Sequence, residues 1–304
     1  MNPYQPLEDR YVTLGPHRVR YWQAGDAGPA VVLVHALGAS VEYWARVMPT
    51  LARHHRVFAL DLLGFGLSDK PDLPYGEALL AGVVRDFADG MGLERFHLVG
   101  NSMGGAVSQR VARENPQRIA SLALVCSGGL GTAISPRVRL LSVALVGEFL
   151  ARPRPEMTKR LIRGGMVVRE GAPRELLDAS LAHARSPGAR RAFLATLRNG
   201  IRLDGQRPAI VDAHRAAFPR MTWPTLVMTG DRDPIIPTDH DDAIRAIPLL
   251  TTHRFAGCGH YPQLEQPEAF CDVLLRFLEA APTPAASGAT GVGALTAQRT
   301  LSPA

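Results

Sequence analysis

Short apolar runs alternate along this chain with amphipathic stretches of helical period. The segments "YVTL" (11–14) and "RVRYWQA" (18–24) flank a Gly-Pro turn and predict an antiparallel start. "AVVLVHA" (30–36), "RVFALDL" (56–62), "FHLVG" (96–100) and "SLALVCS" (121–127) each predict a buried strand. Between them, "VEYWARVMPTLA" (41–52), "EALLAGVVRDFADGM" (77–91) and "MGGAVSQRVAREN" (103–115) predict helices. Strands alternating with helices in this way specify a mostly parallel sheet with helices on both faces, an α/β class.

The alternation breaks between residues 131 and 218, which read as helical, Arg-rich and without clear strands. It resumes with a strand at "TLVMTGD" (225–231). A helix follows from Thr238, where Thr238-Asp239-His240-Asp241 reads as a capping box. "HRFAG" (253–257) predicts a last strand, and "PEAFCDVLLRFLEA" (267–280) a last helix opened by Pro267. The expected organisation is a sheet domain in two parts, 1–130 and 219–281, around an insertion at 131–218. The stretch 282–304, rich in Ala, Pro, Gly, Ser and Thr, buries too little to order itself.

Composition narrows the classes. Hydrophobic residues are 46% and charged residues 20%, a globular composition with a sizeable core available. The first residues lack the basic-then-apolar order of a signal peptide, and no apolar run is long enough to span a bilayer. Cys126, Cys258 and Cys271 are odd in number and lack paired spacing, which argues against a disulfide framework and a zinc site. The expected compartment is the cytoplasm. The net charge of +6 is uneven: residues 137–207 carry +9 and the rest −3. A basic segment can face nucleic acid, an anionic membrane or an acidic substrate. Here the arginines are interspersed with apolar residues, so a solvated helical surface is the expectation, with no nucleic acid as partner.

The chemistry concentrates at "LVGNSMGGA" (98–106), where a strand turns abruptly into a helix around Ser102. A serine hydroxyl attacks only when its oxygen is exposed and a base takes its proton. A sharp turn exposes it, and Gly100 and Gly104 leave room for the turn. This is the G-x-S-x-G nucleophile elbow, which calls for an acid and then a histidine later in the chain. Asp233, in "GDRDPIIP", and His260, in "GCGHYPQLEQP", each follow a strand in that order. Asp231 competes with Asp233 but stands at the strand end, a place suited to holding the turn. "TDHDD" (238–242) surrounds a helix start rather than converging on a point, so no metal is expected there.

With "HALGAS" (35–40), "DLLGFGLSDKP" (61–71), "GNSMGG" (100–105), "GDRDPIIP" (230–237) and "GCGHYPQLEQP" (257–267), the chain resembles the α/β-hydrolase-fold superfamily across residues 5–280. The resemblance implies an eight-stranded, mostly parallel sheet and a helical cap inserted after the sixth strand. It implies Ser102, Asp233 and His260 as catalytic residues and the amides of Leu37 and Met103 as oxyanion donors. It implies no cofactor and no metal. Ala36 departs from the glycine usual in the oxyanion loop. Asp61, Gly64 and Gly66 are expected to shape a turn. Trp44, Leu130, Phe149, Met166 and Phe193 are candidates for the pocket wall.

The resulting expectation is hydrolysis of carboxylic esters of small to medium acyl groups. The alternatives left open are a carbon–carbon bond hydrolase of the meta-cleavage-product type, thioester or lactone cleavage, and a ligand-binding protein on a hydrolase scaffold. Meta-cleavage-product hydrolases, which this chain resembles over its full length, carry an aromatic residue shortly after the histidine and a cap arginine. Leu264 stands where a tryptophan would be expected, which weighs towards an ester, while Arg163 or Arg190 could still supply the arginine.

Overall fold

The computed structural model describes residues 7–169, 172–237 and 241–281. The expected capping box at 238–240 and the stretch 282–304 lie outside the described residues. Strands β1 (Arg10–Leu14) and β2 (His17–Ala24) form a hairpin whose turn uses Gly15 at φ 58°. There follow β3 (Ala30–Val34), a 3-10 turn (Val41–Trp44), α1 (Met48–Leu51), β4 (Arg56–Leu60), α2 (Glu77–Gly90), β5 (Phe96–Asn101), α3 (Met103–Glu114) and β6 (Ile119–Val125). The insertion contributes α4 (Pro136–Leu141), α5 (Val146–Leu150), α6 (Pro155–Arg163), α7 (Arg174–Arg185) and α8 (Ala189–Gly200). A minimal hairpin, β7 (Ile201–Arg202) and β8 (Gly205–Gln206), and α9 (Pro208–Arg215) lead back to the core. The chain then closes with β9 (Thr225–Gly230), α10 (Asp241–Ile244), β10 (Leu250–Phe255), α11 (Pro262–Glu265) and α12 (Pro267–Ala280).

Eight strands form one sheet in the order β1-β2-β4-β3-β5-β6-β9-β10. The β1–β2 and β2–β4 pairs are antiparallel and the remaining pairs parallel. All five residues of β3 are buried, as expected of a central strand covered on both faces. On one face Leu60, Val84, Phe87 and Val107 bring α2 and α3 against the sheet. On the other, Trp44, Leu51, Phe270 and Leu274 bring in α1 and α12. Fully burying side chains such as Phe87 and Phe270 stabilises the fold by roughly 1.5–3 kcal/mol each.

Two expectations change. The single helix expected over 41–52 is a 3-10 turn followed by a short α-helix. Pro49 has no N–H to donate back to Ala45, so the helix cannot run through and restarts at Met48. The region 131–218 does contain strands, but β7 and β8 are two residues each and too short to leave a periodic signal.

The parallel strands end at one edge, and the loops after β3, β4, β5, β6, β9 and β10 all emerge there, where open α/β sheets place their sites. Asp61 organises part of this edge. Its carboxylate is fully buried, accepts the Val41 and Leu67 N–H groups at 2.8 Å each, and lies 3.2 Å from Arg20 Nη1. Arg20 also reaches Asp9 at 2.6 Å and Glu42 at 2.9 Å. Gly66, at φ 52°, passes so close to the Asp61 carboxylate that any side chain there would collide with it. The expected turn-shaping role of "DLLGFGLSDKP" is thus a fixed network. Removing one partner of a buried pair strands the other charge. Asp61→Ala should therefore lower unfolding stability by about 3–5 kcal/mol in urea denaturation; a loss below ~1 kcal/mol would show that Arg20 relaxes onto its other carboxylates.

Candidate active site

Ser102 stands between β5 and α3 with φ 56° and ψ −116°, a conformation that side chains other than glycine rarely adopt. The turn is locked from both sides. The Ser102 N–H donates to Val125 O on the neighbouring strand at 2.9 Å, and the Ser102 carbonyl accepts from Gly105 and Gly128 at 2.9 Å each. A side chain at Gly100 would strike the Gly104 carbonyl, and one at Gly104 would strike the Val34 carbonyl. Glycine at both positions is therefore a packing requirement of the turn.

His260 and Asp233 come together from separate loops. His260 Nδ1 lies 2.7 Å from Asp233 Oδ2, and both side chains are buried. The other carboxylate oxygen of Asp233 accepts the Ile235 and Ile236 N–H groups at 2.8 and 3.1 Å, which fixes its rotamer. Asp231 does not take this place. It is exposed and accepts the Cys258 N–H at 3.2 Å, holding the neighbouring loop. With Nδ1 occupied, Nε2 is the ring nitrogen left for another partner. Ser102 and His260 line one cavity of about 270 Å³, together with Leu37 and Met103.

Met103 and Leu37, the expected oxyanion donors, both line the cavity. Met103 is the first residue of α3, so its N–H has no acceptor within the helix. The Leu37 N–H makes no hydrogen bond among the described residues. The preceding His35 is fully buried and accepts the Leu62 N–H on Nε2 at 3.0 Å, so its Nδ1–H donates to Ala36 O at 2.7 Å. Burial lowers the pKa of His35, consistent with this neutral tautomer. Ala36 is compatible with the loop because the positive φ falls two residues later, at Gly38 (73°).

Three features left no legible signal in the sequence. Asn101, the residue before the serine, donates to Val125 O and His260 O at 3.0 and 3.2 Å and accepts from Gln263 at 3.2 Å. Glu265 is buried and accepts four backbone N–H groups: Gly259 and Tyr261 around the histidine, and Val167 and Val168 of the insertion. The His260 N–H itself donates to Gly165 O at 2.7 Å, so the histidine loop is fastened to the 165–168 segment. Cys126, at φ 43° beyond β6, sits close to Asp233 and His260. Those three side chains are near enough to share a metal ion, but Asp233 is already committed to its histidine and two amides. Burial, reinforced by Asp233, raises the Cys126 thiol well above its ordinary pKa and opposes the thiolate that a metal needs.

Of the expected wall residues only Phe193 lines the cavity. Trp44, Leu130 and Met166 are packed in hydrophobic clusters and Phe149 is exposed. Leu264 is fully buried away from the cavity, so the residue type at 264 says nothing about substrate. The aromatic residue that follows the histidine and lines the cavity is Tyr261, 5.4 Å from the Tyr43 ring. Arg190 lines the cavity and Arg163 does not.

A profile of the alpha/beta hydrolase family matches residues 31–273. The chain belongs to that family. Among curated relatives, the hydrolase is 30% identical over 277 residues to the 2-hydroxy-6-oxo-6-(2'-aminophenyl)hexa-2,4-dienoic acid hydrolase of Metapseudomonas resinovorans, covering 89% of this chain and 90% of that one. Among solved structures it is similar to the 2-hydroxy-6-oxo-6-phenylhexa-2,4-dienoate hydrolase of Rhodococcus sp. strain RHA1, with a TM-score of 0.77 and 28% identity over 90% of this chain and 99% of that chain. A structure described as a membrane phospholipase A matches at a TM-score of 0.71 and 28% identity, over 90% of this chain and 86% of that chain.

The Glu265 contacts make a definite demand. Both carboxylate oxygens face N–H donors, so an amide would set its NH2 group against at least one of them. Glu265→Gln should destabilise the hydrolase by about 1–3 kcal/mol in chemical denaturation. An unchanged denaturation midpoint would mean that the network rearranges freely.

Proposed function

We propose that the hydrolase cleaves carboxylic esters through an acyl-enzyme on Ser102. The observation that carries this reading is the convergence on one cavity of a half-buried turn serine and of His260, itself paired with a buried Asp233 side chain. His260 Nε2 accepts the Ser102 proton as Oγ attacks the carbonyl carbon. Asp233 orients the ring and stabilises the imidazolium. The Leu37 and Met103 amides receive the oxyanion, and loss of one such donor costs roughly 3–4 kcal/mol of transition-state stabilisation. The tetrahedral intermediate collapses and His260 returns the proton to the departing alcohol. Water then attacks the acyl-enzyme and gives a proton to His260, which passes it to Ser102 Oγ as the intermediate collapses and the acid departs.

The cavity favours a neutral acyl group. Its wall is mainly apolar, with Val107, Ile162, Leu197 and Ile236 among its residues. Tyr43 and Ser180 add hydroxyl groups to the wall, Lys70 and Glu77 bring opposite charges that offset each other, His183 also lines it, and Arg152 and Arg190 are exposed and so sit at the rim. We read the helices of residues 131–218 as the cap over Ser102, because Val138, Leu141, Ile162 and Phe193 from this stretch line the same cavity. A second reading, cleavage of a carbon–carbon bond beside a ketone, is supported by the dienoate hydrolase relatives and by Arg190, which could meet a substrate carboxylate at the rim.

Ser102→Ala should reduce ester turnover by several orders of magnitude without altering thermal stability. Most of the activity surviving in a folded variant would remove the serine from its role. Asp233→Asn should damage kcat far more than Asp231→Asn, and the reverse ranking would transfer the acid to Asp231. For substrate class, kcat/KM for p-nitrophenyl butyrate should exceed that for a 2-hydroxy-6-oxo-dienoate. Faster cleavage of the dienoate would establish the carbon–carbon reading instead.

A further inference from the structure

The insertion exposes apolar side chains, and of the four most prominent on its first helices only Leu161 also faces the cavity. Leu145 is 82% exposed, Phe149 57%, Leu161 46% and Leu140 44%. They lie on α4, α5 and α6 and the turn between α4 and α5. The same helices turn other residues inward: Val138, Leu141, Met157 and Ile162 line the cavity. The segment therefore presents two apolar surfaces, one to the cavity and one to the outside. Leu145 is held at φ 65°, a strained conformation for a leucine, while almost wholly exposed. Folding alone gains little by placing such a residue there.

The same segment is rich in cations. Residues 136–163 contain seven Arg and Lys against Glu148 and Glu156. Glu148 is already paired with Arg198 at 2.7 Å. Arg137, Arg152, Arg154 and Arg160 are exposed and form no ion pair among the described residues. Arg152 and Arg154 lie over the Phe149 ring at 5.2 and 6.0 Å, so cation and aromatic face form one surface. Arg152 and Leu161 also line the cavity while being exposed, which places the patch beside its opening.

From this geometry we propose that the outer face of α4–α6 docks the hydrolase on an anionic lipid surface, with the cavity opening toward the lipid. Protruding Leu and Phe side chains enter the boundary of the acyl region, and the arginines meet the headgroup phosphates. A second copy of this chain fits the patch poorly, since a two-fold contact would set arginines against arginines. Docking here adds a site of action to the ester reading but does not depend on it, because binding is measurable without turnover.

The test is co-sedimentation with vesicles of phosphatidylcholine alone and of phosphatidylcholine mixed with phosphatidylglycerol. The intact protein should bind the mixed vesicles at low salt, and at least about tenfold more weakly the neutral ones. The charge-neutral double variant Leu145→Ser/Phe149→Ser should lose about tenfold or more of that binding while its melting temperature and its turnover of a soluble butyrate ester stay unchanged. Retained binding in the serine variant would reduce the contact to bulk charge and overturn the proposal. So would absence of binding to the mixed vesicles. A concentration-dependent dimer, seen by analytical ultracentrifugation and dissolved by the same variant, would assign the patch to self-association.

Discussion

The backbone of one residue governs the arrangement of this edge of the sheet. At Ser102 the chain leaves a strand and enters a helix within a single position, in a conformation that costs on the order of 1–3 kcal/mol. It persists because the neighbours leave no alternative. Gly100 and Gly104 let carbonyl groups pass where a methyl group would collide, and Val125, Gly105 and Gly128 hold the serine's own amide and carbonyl. The same turn frees the first N–H of α3 and lifts the hydroxyl above the sheet.

The loops around that turn are held by buried polar groups as well as by apolar packing. His35 ties the loop after β3 to the segment after β4, and Asp61 ties that segment to Arg20 and to Val41. Asn101 and Glu265 fasten the histidine loop, one to the strand ends and the other to the insertion. Each of these groups is satisfied by several partners, which lets a polar group sit in the interior without a large penalty. The insertion is therefore joined to the histidine loop by hydrogen bonds at Gly165, Val167 and Val168 as well as by apolar contact. Its position and that of His260 are set together.

The insertion differs from the core in how its apolar residues are used. In the core, faces of strands and helices meet and are covered. In α4–α6 one face is given to the cavity and another stays open among arginines. Both faces are made of apolar side chains, so residue type does not tell them apart and only their neighbours distinguish them.

The sheet, its edge and the order of the chemical residues were written in local signals. Period-2 and continuous apolar runs fix strands, a 3.6 period fixes helices, and glycine at 100 and 104 reports a steric limit that any such turn must obey. These depend on near neighbours in the chain. What required tertiary structure depends on residues far apart in it. The pairing of Asp233 rather than Asp231 with His260 spans 27 residues, and the Glu265 link to Val167 spans 98. Leu264 and Tyr261 are both apolar or aromatic residues beside the histidine, yet one is sealed in the core and the other faces the cavity. Spacing along the chain cannot decide such cases, because burial is a property of what packs against a side chain and not of the side chain itself.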